Sequence, residues 1–323
     1  MPPEHLTDRF AARTRHHAQF TVDLLIAAKR DRDLTVSVVI PARNEAPTVG
    51  EVAGNLHRAL SVDTGLLDEV LVVDADSTDG TGDIARAAGA RVVRQSHVLP
   101  GAGTALGKGE ALWKGLAASA GDLVVFVDAD IHDIGPRFVL GLLGPLLLDD
   151  GVRFTKATYD RPLRLGDEVR PSGGGRVTEL LARPIIAAFW PELAWLAQPL
   201  SGEYAGDRDL LESLAFVQGY GVELAMLVDI AAAHGPDVIT QVDLGRRTHD
   251  HQSLDALGRM AAEILHVATD RLSRQGRLVL TDPLTTSLLQ PHRDGSGELQ
   301  LTRSEVVVSE RPPLRQWRSQ HSS

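Results

Sequence analysis

Asp128 and Asp130 stand two residues apart at the end of an apolar run, DLVVFVDAD over residues 122–130. In a continuing strand both carboxylates face the same way, and a divalent cation relieves the negative charge they concentrate. Hard oxygen ligands suit Mg²⁺ or Mn²⁺, and such an ion binds phosphate oxygens in turn. Taken alone, the doublet also describes a solvated turn after a buried strand. It opens a phosphatase pattern too, but that pattern usually continues to Thr or Val after one more residue, and here Ile131, His132 and Asp133 follow.

Two further segments have the chemistry to hold an anion. In LGKGEALWKGL, residues 106–116, Lys108 lies between two glycines just before a helix, so its ammonium and nearby backbone N–H groups can converge on one ligand. A nucleoside-triphosphatase loop is excluded, because G-x-x-x-x-G-K-[S/T] needs Gly at 102 and Ser or Thr at 109, where the chain has Ala102 and Gly109. A dinucleotide fingerprint is excluded as well, since Pro41-Ala42-Arg43-Asn44-Glu45 follows the first strand. In GGGRVTEL, residues 173–180, three glycines admit a ligand close to the backbone, and Arg176 and Thr178 can grip a phosphate or carboxylate. Read alone, that segment is equally a flexible loop before a helix. His249, in RRTHDH, is one of twelve histidines and gains meaning only if the fold returns it over the aspartates.

The elements that must position these groups follow from periodicity. Val36, Val38, Val39 and Ile40 form a β-branched run that Pro41 stops, and a helix follows through Leu60. The pattern recurs as a strand in 68–80 with a helix through Ala88, a short strand at 90–94, a helix at 107–119 and the strand at 122–130. Strands of this length alternating with helices imply parallel right-handed crossovers in a three-layer α/β sheet. Ligands gather beyond the carboxyl ends of such strands. Asn44–Glu45, Asp74–Asp76 and Asp128–Asp130 all fall there, which points to one shared site. Residues 8–33 read as one amphipathic helix. After about residue 150 the regularity fades, leaving helices after the glycine run at 172–184, on either side of a glycine turn in 210–231, and over 251–272. The apolar stripe of the last reads as core or subunit interface. Beyond Gly276 the chain is less regular, and after Pro312 it reads as frayed.

Composition narrows the classes. The 323 residues include 33 Lys and Arg against 43 Asp and Glu, a formal net charge of −10, which disfavours broad nucleic-acid binding. Cysteine is absent, so no disulfide, zinc–thiolate site or catalytic thiol exists. No apolar signal segment opens the chain and no uncharged apolar run reaches about 18 residues. A cytoplasmic protein without integral membrane contact is the expectation.

In order, VVIPARNEAPTVG, VVDADSTDGT, GKGEALWKGLAAS and VVFVDAD resemble the nucleotide-diphospho-sugar transferases of the GT-A fold. With GGGRVTELLARP, LSGEYA and GYGVELAMLVD, the likeness narrows to the glucosyl-3-phosphoglycerate synthases and the closely related mannosyl-3-phosphoglycerate synthases, over about residues 35–270. The resemblance implies a Rossmann-like three-layer sheet with a helical carboxyl-terminal extension. It implies a lead-in at 1–34, a catalytic domain at 35–250 (nucleotide-sugar part 35–130, acceptor part 131–250), and a helix and tail at 251–323 carrying homodimer contacts. The implied reaction moves glucose from UDP-glucose to the 2-hydroxyl of D-3-phosphoglycerate with retained configuration, using Mg²⁺ or Mn²⁺. Pro41, Ala42, Arg43, Glu45 and Ala75 match nucleotide-contacting segments, Lys108 the lysine at the diphosphate, and Asp128 the residue by the ribose. Asp130 and His249 match the metal ligands. Gly175, Arg176 and Thr178 match the phosphoglycerate group, Glu223 a glutamate at sugar and acceptor, and Tyr220 and Arg247 neighbouring active-site segments.

Arg43 and Ala75 depart from the familiar glucosyltransferase residues, which keeps a GDP-mannose-dependent mannosyltransferase as the alternative. Asp-Ala-Asp in place of Asp-Ser-Asp spares both carboxylates. A retaining reaction with no obvious nucleophile can run on the front face, so Glu223 is assigned to positioning or charge stabilisation, beside catalytic Lys108 and Asp130. A nucleotidyltransferase would want a glycine- and arginine-rich first loop, which PARNE is not. A non-catalytic binding protein would not need Asp128, Asp130, Lys108 and His249 together.

Overall fold

The computed structural model describes residues 3–160, 163–165, 168–170, 175–247 and 253–321. Its centre is an eight-stranded mixed sheet of β1 (Thr14–His16), β2 (Val36–Ala42), β3 (Glu69–Asp74), β4 (Arg91–Arg94), β5 (Leu123–Phe126), β6 (Phe154–Asp160), β7 (Tyr204–Asp207) and β8 (Ile239–Arg246). The strand order is β1-β8-β6-β7-β5-β2-β3-β4, and β7 alone runs antiparallel to its neighbours. Alternation splits each buried strand between two faces. Val38, Ile40, Val70, Val72 and Val125 enter one core, with Leu56, Phe138 and Leu142 from α3 (Val49–Leu56) and α6 (Pro136–Leu148). Val39, Leu71, Val73, Val124 and Phe126 enter the other, with Trp113 of α5 (Lys108–Ala118), Leu224 of α9 (Val222–His234) and Val267 of α10 (Leu254–Arg274). This is the three-layer α/β architecture expected.

Four details differ from the sequence reading. The expected single helix at 8–33 is two, α1 (Pro3–Arg13) and α2 (Val22–Asp31), with β1 and a 3₁₀ turn between them. Thr21 caps α2 by accepting from Leu24 N–H at 3.4 Å, a start signal that an uninterrupted apolar stripe conceals. Pro41 does not stop β2, which pairs with β3 as far as Ala42. The register with β5 ends at Val39, so the missing proline N–H interrupts no ladder on that side. β5 itself ends at Phe126, and Asp128 and Asp130 lie in the turn beyond it.

The fourth difference is the tail. Residues Ser287–Arg293 and Leu299–Glu305 pair as a hairpin, Glu310–Arg311 pairs antiparallel with Phe216–Val217, and Leu314–His321 is helical. Leu314 is fully buried and Trp113 donates its indole N–H to Pro312 O at 2.9 Å. The tail is docked rather than frayed, because these two contacts bury an apolar side chain and satisfy an indole. Among the described residues no helix is long and apolar enough to cross a membrane.

Candidate active site

The carboxyl ends of β2, β3 and β5 open into a cleft of about 960 Å³. Its floor is a charge network built from four elements. Lys108 is the first residue of α5, and its Nζ lies 2.6 Å from Asp128 Oδ1 and 3.1 Å from Glu223 Oε1. Glu223 is the second residue of α9 and is buried. Burial works against the Lys108 ammonium, but Asp128 and Glu223 outweigh it and hold its pKa well above the ordinary value. Arg247, just past β8, reaches Asp130 Oδ1 at 3.0 Å, Asp128 Oδ2 at 3.3 Å and Glu203 Oε1 at 3.0 Å. It also donates to the Tyr159 hydroxyl at 2.7 Å. Here again burial opposes the charge, and Glu203, Tyr159 and the two aspartates more than restore it.

The nucleotide-side candidates flank this floor. Pro41, Ala42, Arg43, Glu45 and Ala75 all line the cleft. Asn44 sits in the left-handed region at φ 56°, which suits an asparagine, and ties the two loops: its N–H donates to Ser77 Oγ at 2.9 Å and its Oδ1 accepts from Thr78 N–H at 3.0 Å. Burial, then the charge of Asp130, raise the Glu45 carboxyl above its usual range. On the opposite side Gly175, Arg176, Thr178 and Tyr220 line the same cleft, with Thr178 buried. Every residue matched through the family resemblance therefore shares one cavity, except His249, which lies outside the described residues. Asn44, Asp74 and Asp76, also expected there, do not line it, because their side chains bond Thr78, Ser77 and Ser96 of the surrounding loops.

The glycines around Lys108 serve a different purpose from the one expected. A Cβ on Gly109 would fall 1.7 Å from Val217 O, and one on Gly107 2.1 Å from Gln218 O. Gly109 N–H donates to Gln218 O at 3.0 Å. The glycines let the start of α5 abut the 216–218 backbone, so this amide is committed to the protein and not to an anion.

Asp130 offers the cleft a hard carboxylate oxygen of the kind that suits Mg²⁺ or Mn²⁺, while Asp128 is engaged by Lys108 and Arg247. Asp130 is half exposed to the cleft and engages Arg247 through one oxygen. Among the described residues no cluster of three or more His, Asp or Glu is assembled as a metal site.

The model of the glycosyl transferase family 2 matches residues 37–133, which carry the loops after β2 and β3 and both aspartates. The glucosyl-3-phosphoglycerate synthase of Petrotoga mobilis is 43% identical over 310 residues, 96% of this chain and 95% of its own length. The chain belongs to the glucosyl-3-phosphoglycerate synthase family. Among solved structures, the glucosyl-3-phosphoglycerate synthase of Mycobacterium tuberculosis with Mn²⁺, UDP-glucose and phosphoglyceric acid superposes with a TM-score of 0.80 at 41% identity, covering 93% of this chain and 96% of that one. The same enzyme has a structure with Mg²⁺ and UDP at a TM-score of 0.82, 42% identity, 94% of this chain and 99% of that one. The mannosyl-3-phosphoglycerate synthase of Rubrobacter xylanophilus reaches 0.88 at 40% identity, covering 97% of this chain and 98% of that one.

For this member of the glucosyl-3-phosphoglycerate synthase family, sequence reasoning missed a buried layer beneath the floor. Glu203 is wholly buried, accepts from the Tyr159 hydroxyl at 2.6 Å and pairs with Arg247. Gly202 matters for space alone: a Cβ there would lie 2.1 Å from Asp128 Oδ2 and 2.5 Å from Lys108 Nζ. The signal was present in LSGEYA, where an acid and a glycine interrupt a segment otherwise fit for burial. Lys156, equally buried, donates to Ser201 O and lies 4.6 Å over the Tyr204 ring. Burial brings its pKa down to about 7. Glu305, Val307 and Ser309 also line the cleft, so the tail contributes to its wall.

Proposed function

We propose that the protein transfers glucose from UDP-glucose to the 2-hydroxyl of D-3-phosphoglycerate with retention of configuration, releasing UDP. One observation carries the reading: in a chain 43% identical to a glucosyl-3-phosphoglycerate synthase over nearly its whole length, Lys108, Asp128, Asp130, Glu223 and the Arg176 loop converge on a single cleft. Lys108 faces the donor diphosphate, where an ammonium offsets charge developing on the leaving group. Asp130 and His249 would hold Mg²⁺ or Mn²⁺, which when bound supplies further positive charge at that diphosphate. Pro41, Ala42, Arg43, Glu45, Ala75 and Asp128 frame the nucleoside. Arg176 grips the acceptor phosphate, with Gly175 and Thr178 shaping the loop and Tyr220 closing the acceptor side. Glu223 and Arg247 orient the reacting groups, Glu223 by fixing Lys108 and Arg247 by fixing the aspartates.

The homodimer and the cytoplasmic setting belong to the same proposal. The hairpin exposes Leu289, Leu299 and Leu301, apolar surface that a second copy would cover, and both substrates are phosphorylated metabolites.

A second reading, mannosyl transfer from GDP-mannose, is favoured by the TM-score of 0.88 to the Rubrobacter mannosyl enzyme. Arg43 and Ala75 bear on the same question because they line the cleft beside the strand ends expected to frame the base. The deciding experiment measures kcat/KM for UDP-glucose, GDP-glucose and GDP-mannose, each with 3-phosphoglycerate and Mg²⁺ and again after EDTA treatment. The proposal expects UDP-glucose to lead and EDTA to abolish transfer. A preference for GDP-mannose of about tenfold or more, near 1.4 kcal/mol in transition-state binding, replaces it with the second reading. Full activity after EDTA refutes the metal assignment.

A further inference from the structure

The last strand of the chain ties two walls of the cleft together. Arg311 forms a forked pair with Glu110 of α5, Nε to Oε2 at 2.5 Å and Nη2 to Oε1 at 2.8 Å, while its Nη1 donates to Ala102 O at 2.6 Å. The adjacent Glu310 accepts from Arg271 Nη1 at 3.0 Å and Arg274 Nη1 at 2.6 Å, both on α10. Two neighbouring residues of opposite charge thus hold two helices that both line the site.

Glu110 is wholly buried, and Lys114 Nζ at 3.3 Å and Gln218 Nε2 at 3.2 Å complete its partners. It stands two residues beyond Lys108. Between them, Gly109 N–H donates to Gln218 O at 3.0 Å, and Gln218 N–H donates in turn to Ser309 O at 2.9 Å. The first turn of α5 has no side-chain cap of its own. Its orientation is therefore set from outside the helix, by the tail and by Gln218, and Lys108 extends from that turn into the cleft.

We propose that the Glu310–Arg311 pair is a cross-brace that fixes the start of α5, which makes Arg311 and Glu110 positioning residues for Lys108 at the donor diphosphate. The proposal rests on the reading of Lys108 given above. A forked guanidinium–carboxylate pair fixes direction as well as distance, which an ammonium does not.

The test uses the full chain with Arg311→Lys, which keeps the charge, and Glu110→Gln, which keeps the shape. UDP with Mg²⁺ is titrated by calorimetry, KM is measured for both substrates, and amide exchange is followed at Gly109. In folded variants, UDP should bind about tenfold more weakly and kcat should fall, while KM for 3-phosphoglycerate changes by less than about twofold. Exchange at Gly109 should quicken. A role confined to stability would lower the melting temperature and leave the UDP affinity of the folded protein alone. Unchanged UDP affinity and unchanged exchange in either folded variant overturn the brace. If the wild type moves no glucose from UDP-glucose, the proposed reaction has failed, and the exchange measurement still decides the brace.

Discussion

Gly202→Ala adds one methyl group where Asp128 and Lys108 meet. The new Cβ would stand 2.1 Å from Asp128 Oδ2 and 2.5 Å from Lys108 Nζ, where ordinary contacts begin near 3.4 Å. Relief requires a shift of about 1 Å by the carboxylate, the ammonium or the bend that carries residue 202 just before β7. The ends of the side chains move most easily, so the 2.6 Å Lys108–Asp128 contact is the first to break. A charge-assisted hydrogen bond of this kind is worth about 1.5–3 kcal/mol. A misplacement near 1 Å at the reacting centre costs about a hundredfold in rate, some 2.7 kcal/mol. The expected result is a fall of about a hundredfold in kcat/KM for UDP-glucose, with a loss of stability of about 1–2 kcal/mol because the backbone need not move. Steady-state kinetics at saturating 3-phosphoglycerate and a thermal melt read both quantities. If Gly202→Ala kept kcat/KM within threefold, the claim that this glycine exists to let Asp128 and Lys108 meet would be refuted.

Acceptor recognition is expected to depend on Arg176. Arg176→Ala should weaken 3-phosphoglycerate by about ten- to a hundredfold, the value of a charge-assisted phosphate contact, while UDP affinity holds; calorimetry showing the reverse would move the loop to the donor. Lys156 offers a test by pH. Its folded pKa of about 7 lies below the ordinary 10.5, so between those values the unfolded chain carries a proton that the folded chain lacks, and stability rises with pH across that window. Lys156→Met should flatten this slope and stabilise the protein at pH 7 by about 1–3 kcal/mol, because it removes a buried ammonium; a lower melting temperature with the slope intact would contradict that account.

Much of the first half of the fold was legible because its strands are continuous β-branched runs. Val36–Ile40, Val70–Val73 and Leu123–Phe126 are buried on both faces, and the groups that could do chemistry follow each run directly. The family motifs pointed to the remaining candidate residues, and all of those described line one cleft. The strands after residue 150 were not legible, because polar residues stand among the buried positions of β6 and β8 and break their apolar runs. Thr155, Lys156, Thr240 and Gln241 are all buried. Thr155 donates to Leu142 O at 2.7 Å, Gln241 to Thr14 Oγ at 2.8 Å, and Lys156 to Ser201 O. Such a strand has an apolar pattern only after its partners are known.

The amino-acid sequence by itself determined which residues carry charge, where the chain alternates between strand and helix, and that several functional groups follow strand ends. These are local properties, set by side-chain chemistry and backbone period within a few residues. The tertiary structure decided that β7 enters the sheet antiparallel between β5 and β6, bringing Gly202 and Glu203 under Asp128. It also decided that an apparently loose tail binds Glu110 and helps to wall the cleft. Both depend on pairings across many residues, Arg311 with Glu110 and Phe126 with Tyr204 among them. A burial cost or a hydrogen bond at one position is then satisfied by a partner that no local window contains.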